Sequence, residues 1–228
     1  MPQLLLVHGS GYTQDSFAAQ TAAFPDGDAL SLPGHPEGTA LPSVGELADW
    51  LERYVRWKQC GPAVVAGNSL GGAIAMEWAL RYPADAAGLI LIGTGARLRV
   101  SAQIFDLIDN HWPDSIATLA DFAVGPRDGA ELRERVVSWH RVVGQSSTKT
   151  DYCACDRFDV MDRLHDIGAP TLIVVGAEDK LTPVKFSRFL HEKLAASELL
   201  EVEGAGHVVM AERPDVVNPA IANFLRNL

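Results

Sequence analysis

Residues 63–80 read AVVAGNSLGGAIAMEWAL and place one serine, Ser69, between a valine-rich run and a segment with helical character. The pattern from Gly67 to Gly71 matches G-x-S-x-G, which is typical of a sharp strand-to-helix turn that exposes a nucleophilic serine. The same pattern also fits an ordinary turn in which Ser69 only caps the helix. Chemistry at Ser69 therefore requires that other parts of the chain supply a base, an acid and an anion site.

Short apolar runs alternate with helical patterns on both sides of this stretch. Their nearly continuous Val, Leu and Ile content indicates strands covered on both faces, as in a parallel sheet. The alternation predicts an α/β fold with a doubly wound, mostly parallel sheet of about six strands. The predicted strands are Leu4–Val7, Ala29–Leu32, Ala63–Ala66, Gly88–Ile92, Thr171–Val175 and Leu199–Val202.

Two helices illustrate how capping residues and prolines mark helix ends. Ser43 with Glu46 three residues later forms a capping box, which predicts a helix over Ser43–Gln59. In the last helix, Pro219 implies either a kink or a start at Asn218 with the proline in the first position. We predict the start at Asn218.

The region of residues 94–156 breaks the alternation because it contains no convincing strand. It is predicted as a helical insertion, and residues 1–93 and 157–228 are predicted to form the core domain. Its aromatic residues either pack onto the core or line an apolar pocket as a lid, and we predict the lid. The predicted helices are Gln103–Asn110, Ser115–Phe122 and Ala130–Val143. The predicted pocket residues are Phe105, Trp112, Phe122, Trp139 and Tyr152, together with Val208 outside the insertion.

Composition excludes several classes of protein. The 228 residues carry a net charge of −10, which disfavours a nucleic-acid partner. No apolar run reaches the roughly 18 residues of a membrane helix, and the amino terminus lacks the basic start of a signal peptide. Three cysteines do not form a closed disulfide set, and Cys153 with Cys155 is too small a group for a metal site. We predict a cytoplasmic protein without metal or cofactor, and its oligomeric state stays open.

A base and an acid for Ser69 are available in two later loops. His207 lies in a glycine-flanked loop, EVEGAGHVVMAERP, just after the last predicted strand. Asp179 lies immediately beyond another strand, in TLIVVGAEDKLTP, and Glu178 is its direct rival. The carboxyl ends of parallel strands meet at one edge of a sheet, so these side chains are expected near Ser69. The chain order Ser69, Asp179, His207 is one of the known orders of a catalytic triad.

An oxyanion site needs two backbone N–H groups. Leu70 follows the predicted nucleophile and supplies one of them at the start of a helix. The second is predicted from Ser10 in VHGSG at the exit of the first strand, with Gly9 and Gly11 as neighbouring alternatives.

The motifs VHGSG, LPGH, GNSLGG, GAEDKLTP and GAGHVVMAERP span residues 7–214 and resemble the α/β-hydrolase superfamily. In particular, the chain is similar to small lid-bearing serine esterases related to the pimeloyl-carrier methyl ester esterases. The resemblance implies a hydrolase fold with a helical cap and supports the roles of Ser69, Asp179, His207, Ser10 and Leu70. One departure is that the chain begins directly at the first strand, without the antiparallel hairpin that often precedes it.

The predicted function is hydrolysis of carboxylic esters of small, mainly apolar substrates through an acyl-enzyme, with short to medium uncharged acyl chains preferred. Two enzyme alternatives stay open. Asn68 before the serine is also found in carbon–carbon bond hydrolases of aromatic degradation, although Val208 and the HGSG turn differ from their usual pattern. Lactonases and perhydrolases share the triad. A small-molecule receptor on the same fold is the alternative outside enzymes.

Overall fold

The computed structural model describes residues 2–127 and 129–228. Its centre is a six-stranded sheet in which every neighbouring pair of strands is parallel, in the order β2-β1-β3-β4-β5-β6. The predicted fold class and all six predicted strands are thereby confirmed. The strands are β1 Gln3–Val7, β2 Asp28–Leu30, β3 Ala63–Asn68, β4 Ala86–Ile92, β5 Thr171–Gly176 and β6 Ser197–Val202.

Helices flank the sheet on both faces. Two short 3₁₀ helices, Gln14–Phe17 and Met161–Asp166, lie in the connections. The α-helices are α1 Ala18–Ala23, α2 Val44–Lys58, α3 Leu70–Arg81, α4 Ala102–Asn110, α5 Ile116–Ala123, α6 Ala130–Arg157, α7 Val184–Lys193, α8 Val209–Glu212 and α9 Pro214–Arg226.

The alternation of strand side chains divides the apolar core into two layers. Leu5 and Val65 lie in register on adjacent strands and pack with the residues of α2 and α3. Leu6 and Ala66 lie in register one position along, on the opposite face, and pack with α9 and with helices of the segment between β4 and β5. Because both faces are covered, each central strand is apolar throughout, which is the pattern that the sequence shows.

The capping box predicted for α2 is present. Ser43 Oγ accepts a hydrogen bond from the Glu46 backbone N–H at 3.2 Å and donates one to Glu46 Oε2 at 2.7 Å. The bond satisfies the Glu46 N–H, one of the N–H groups that the first turn leaves without a helical partner, and so stabilises the start of the helix at Val44.

The prediction for the last helix was wrong, because α9 begins at Pro214 and contains Pro219 in its interior. Asn218 does not cap it. Instead, the Asn218 side chain donates to the Ala19 carbonyl at 3.2 Å and accepts from Gln20 Nε2 at 2.7 Å. These contacts with α1, together with the buried apolar face of α9, offset the hydrogen bond that the proline cannot make.

The chain between β4 and β5 forms α4, α5 and α6, and its described residues contain no strand apart from one isolated bridge between Arg97 and Asp159. The predicted helices Gln103–Asn110 and Ser115–Phe122 correspond to α4 and α5. The third, Ala130–Val143, corresponds to the first half of α6 and ends at the kink at Gly144, where φ is +82°. The second half of α6, which continues to Arg157, was not among the predicted helices. No helix in the described part of the chain is long and apolar enough to cross a membrane.

Candidate active site

The turn at Ser69 joins β3 directly to α3. Ser69 has φ +54° and ψ −113°, in a region that non-glycine residues rarely adopt. A Cβ on Gly67 would collide with the backbone of Gly71, and a Cβ on Gly71 would collide with the carbonyl of Val7. The two glycines are therefore required by close backbone contacts, and the strained turn presents Ser69 at the carboxyl edge of the sheet.

Two hydrogen bonds hold the backbone of this turn. The Ser69 N–H donates to the Ile92 carbonyl at 2.9 Å, and Thr94 Oγ1 donates to the Ser69 carbonyl at 2.8 Å. The Ser69 side chain is only partly buried, and within the described residues its hydroxyl makes no hydrogen bond. A serine hydroxyl in this position is accessible to a small molecule.

Asp179 follows β5 and is held by the turn that it starts. Its Oδ1 accepts hydrogen bonds from the N–H groups of Leu181 and Thr182 at 2.9 and 2.8 Å. Its Oδ2 accepts from Thr182 Oγ1 at 2.7 Å and lies 2.9 Å from His207 Nδ1. Burial raises the pKa of Asp179, but the adjacent His207 ring and these hydrogen bonds outweigh it, so the pKa lies below its usual value. The carboxylate is therefore ionised.

Glu178, the rival of Asp179, has different surroundings. Its backbone N–H donates to the Ala205 carbonyl at 3.0 Å, and its Oε2 is buried without a hydrogen-bond partner in the described residues. The histidine ring is thus bonded to Asp179 and not to Glu178.

His207 lies in the loop of residues 203–208, which we call the His207 loop, between β6 and α8. Its ring is buried, and Nδ1 donates to Asp179, which leaves Nε2 as the acceptor nitrogen. The backbone is held on both sides of the residue, since its N–H donates to the Ala123 carbonyl at 2.8 Å and its carbonyl accepts from Asn68 Nδ2 at 3.1 Å. Asn68 therefore links the serine turn to the His207 loop.

Ser69 and His207 line the same cavity, which has a volume of about 320 Å³. The loop of residues 8–11, which we call the HGSG loop, contributes Ser10 to its wall. The N–H groups of Ser10 and Leu70 donate to no acceptor within the described part of the chain, and Leu70 is the first residue of α3. Neither of these two predicted oxyanion donors is thus engaged with another part of the described chain. Ser10 comes from the HGSG loop, and Leu70 directly follows Ser69.

A second buried His–Asp pair supports the HGSG loop, and the sequence did not indicate it. Asp151 Oδ2, on α6, accepts from the Gly11 N–H at 2.8 Å and lies 2.8 Å from His35 Nε2. Burial lowers the pKa of His35, but Asp151 and the carbonyls of Pro33 and Leu32 outweigh it and raise the pKa above its usual value. Both ring nitrogens of His35 face acceptors, so the ring is an imidazolium.

His8 packs 4.7 Å from His35, measured between ring centroids, and is neutral. Its Nδ1 donates to the Gly9 carbonyl at 3.0 Å, and its Nε2 accepts from the Leu32 N–H at 3.1 Å. Burial and the neighbouring His35 lower the pKa of His8 to about 3. His8 and His35 therefore hold the geometry of the loops in which they lie.

Of the predicted pocket residues, Phe122 and Tyr152 are among the described residues that line the cavity. Trp139 packs on Tyr12, with ring centroids 5.4 Å apart, and Val208 is fully buried in the core. Phe105 and Trp112 pack partly buried outside the cavity. The apolar lining that the sequence did not indicate consists of Tyr12, Leu98, Val100, Ile104, Leu181 and Phe186.

No group of three or more metal-ligating side chains occurs in residues 2–127 and 129–228. The three cysteines are free. Cys155 lies in the cavity wall with its Sγ 3.4 Å from Ser10 Oγ, and burial raises the pKa of its thiol to about 12. The thiol is therefore protonated and does not act as a nucleophile there.

Comparison with known proteins identifies relatives over nearly the whole chain. A pimeloyl-[acyl-carrier protein] methyl ester esterase from Aromatoleum aromaticum is 25% identical over 99% of this chain and 98% of its own length. The same enzyme from Chromobacterium violaceum is 28% identical over 98% of this chain and 94% of its own length.

Among solved structures, a thermophilic esterase is 32% identical with a TM-score of 0.89, covering 100% of this chain and 90% of its own. An esterase from Exiguobacterium antarcticum shares the fold with a TM-score of 0.91 at 18% identity, over 99% of this chain and 92% of its own. The model of the alpha/beta hydrolase family matches residues 4–220. The chain therefore belongs to the alpha/beta hydrolase family.

Proposed function

We propose that this hydrolase cleaves carboxylic esters of small molecules through an acyl-enzyme formed on Ser69. The observation that carries the proposal is the buried 2.9 Å contact between His207 Nδ1 and Asp179 Oδ2, beside a cavity that also exposes the strained Ser69. Esterase relatives that align over nearly the whole chain support the ester class.

The first half of the reaction forms the acyl-enzyme. His207 Nε2 takes the hydroxyl proton as Ser69 Oγ attacks the ester carbonyl, and Asp179 stabilises the imidazolium that results. The N–H groups of Ser10 and Leu70 donate to the oxyanion of the tetrahedral intermediate, and the amino terminus of α3 adds its positive end. The imidazolium then protonates the leaving alcohol.

The second half repeats these steps with water. His207 removes a proton from water, the resulting oxygen nucleophile attacks the acyl carbon, and the same two N–H groups stabilise the oxyanion. Collapse releases the carboxylic acid, and the proton on His207 returns to Ser69 Oγ. No metal or cofactor is needed for this sequence of steps.

The helices of residues 94–156 serve in this proposal as a lid on a core formed by residues 1–93 and 157–228. Ile104 and Phe122 on α4 and α5 and Tyr152 on α6 contribute to the cavity wall, which supports the assignment. An apolar wall of this kind excludes water from the acyl chain and strengthens the hydrogen bonds to the oxyanion. Free cysteines support a reducing compartment such as the cytoplasm.

Turnover of p-nitrophenyl esters from C2 to C12, with S69A as control, tests the proposal. Each buried methylene contributes about 0.8 kcal/mol, so kcat/KM is expected to rise by up to about fourfold per carbon and to fall once the chain outgrows the cavity. A fluorophosphonate probe should label the wild type and not S69A. Rapid cleavage of a vinylogous diketone beside negligible ester turnover would contradict the proposal and favour a carbon–carbon bond hydrolase. Ligand binding without labelling would favour a receptor.

A further inference from the structure

The charge of the cavity wall is opposite to that of the protein. The chain has 29 acidic and 19 basic residues. Among the described residues that line the cavity, however, Arg99 and Lys180 are cationic and none is an aspartate or glutamate. A cationic wall attracts anions into the cavity, although the net charge of the protein is negative.

The two cations come from separate parts of the fold. Lys180 lies in the turn after β5, immediately after Asp179, and Arg99 lies in the segment that leads from β4 into α4. Arg99 Nη1 donates a hydrogen bond to the Asp156 backbone carbonyl at 2.6 Å, and this bond holds the Arg99 guanidinium against α6. Both the turn and the segment also contribute apolar residues to the same cavity, namely Leu181 and Leu98.

Neither Arg99 nor Lys180 forms an ion pair with a carboxylate in the described part of the chain, and both residues are exposed. The Asp156 carboxylate accepts a hydrogen bond from the Val100 N–H, next to Arg99, at 3.0 Å. Arg97, two positions before Arg99, does pair with Asp159 at 3.7 Å. Asp121 interacts electrostatically with Lys180, but the Asp121 carboxylate accepts hydrogen bonds from the Arg133 guanidinium. The charges of Arg99 and Lys180 are therefore available to a ligand in the cavity.

We propose that the cavity selects esters that carry a carboxylate, with Lys180 and Arg99 as its binding groups. This rests on the proposed function and replaces the sequence-based expectation of uncharged acyl chains. Charge-assisted hydrogen bonds to a carboxylate are stronger than neutral ones. Because Arg99 and Lys180 are both exposed, water and salt weaken the attraction in part. The scissile carbonyl lies at Ser69, so the carboxylate belongs to a different part of the same substrate.

Matched pairs of esters test whether the carboxylate is recognised, and on which side of the scissile bond. Monoethyl glutarate against ethyl pentanoate tests the acyl side, and 4-carboxyphenyl butyrate against phenyl butyrate tests the alcohol side. In at least one pair, we expect kcat/KM to be about tenfold higher for the anion, and the preference to shrink as salt is added. K180Q and R99Q should each reduce that preference severalfold.

Control variants make the same change of charge away from the cavity. K193Q and R226Q replace residues of α7 and α9 that do not line it, and they should keep the wild-type preference. Equal kcat/KM for anionic and neutral esters in both pairs would overturn the inference. So would K193Q and R226Q reducing the preference as much as K180Q and R99Q do, since that would reflect net charge alone.

Binding to S69A separates this inference from the proposed function. Calorimetry should show that S69A binds the preferred anionic ester about tenfold more tightly than its neutral partner, and that adding K180Q weakens this binding. That result, together with no turnover of any ester by the wild type, would support the anion site and contradict the proposed esterase function. Equal affinity for both esters would overturn the anion site even if the wild type hydrolyses them.

Discussion

His35 Nε2 lies 2.8 Å from Asp151 Oδ2, and the two side chains are 1% and 2% exposed. The pair connects the loop after β2 with the second half of α6, and Asp151 also accepts the Gly11 N–H of the HGSG loop. One carboxylate on the proposed lid therefore holds a loop of the core beside the predicted oxyanion donor Ser10.

Replacing Asp151 should destabilise the protein strongly. D151N removes the charge that balances a buried imidazolium, and breaking such a pair costs about 3 kcal/mol of the free energy of unfolding. Urea-induced unfolding measures the loss. D106N is a matched control, because Asp106 pairs with His111 at 3.4 Å on the surface, where both side chains are 58% exposed. A loss in D106N as large as that in D151N would show that burial of the pair is not the cause.

The same pair should make stability depend on pH. The pKa of His35 is raised in the folded state, so its contribution is fully present below the unfolded pKa of about 6.5 and is lost as pH rises through the folded pKa. The difference in unfolding free energy between wild type and H35N should therefore be largest near pH 6 and diminish toward pH 9. A difference that grows with pH would mean that His35 is neutral in the folded protein.

Ser69 should be indispensable for turnover. S69A is expected to lower kcat by at least about 10⁴-fold, because the members of a triad act as a unit and the remaining groups then have no nucleophile. Steady-state kinetics give the loss, and circular dichroism shows whether the variant keeps the fold. Near-normal esterase activity in S69A would remove Ser69 from the mechanism.

Asp179 and Glu178 should differ sharply as adjacent carboxylates. D179N is expected to lower kcat by about three to four decades, since an amide favours the wrong tautomer of His207. E178Q is the matched control, because Glu178 makes no side-chain hydrogen bond to His207 in the described structure. If E178Q reduced kcat more than D179N, the assignment of the acid would be reversed.

The serine turn should not tolerate a side chain at Gly71. G71A places a Cβ against the carbonyl of Val7, at a contact between backbone atoms that cannot move apart without shifting β1 or α3. A loss of several kcal/mol in unfolding free energy, or failure to fold, is expected. G168A is the control, since a Cβ at Gly168 meets nothing within 4 Å. Equal stability of the two variants would show that the turn has more room than these contacts indicate.

Features that depend on residues close together in the chain could be predicted from the amino-acid sequence. Strands buried on both faces read as apolar runs, and the capping box at Ser43 marked the start of α2. The G-x-S-x-G turn identified Ser69, and topology alone sets Asp179 and His207 at the same sheet edge. The catalytic roles of these three residues stay predictions until the variants are measured. Each of these inferences needs only a local pattern and the rule that parallel strands end at one edge.

Features that depend on residues distant in the chain could be identified only in the folded structure. Trp139 was predicted to line the pocket, yet it packs on Tyr12, because the orientation of α6 sets which of its faces meets the cavity. Pro219 lies within α9 because contacts with α1 and the core outweigh its local preference. The Asp151 pair, 116 residues apart in sequence, has no local pattern at all. Side-chain partners across the fold are set by packing, and packing is not encoded in any short stretch of the chain.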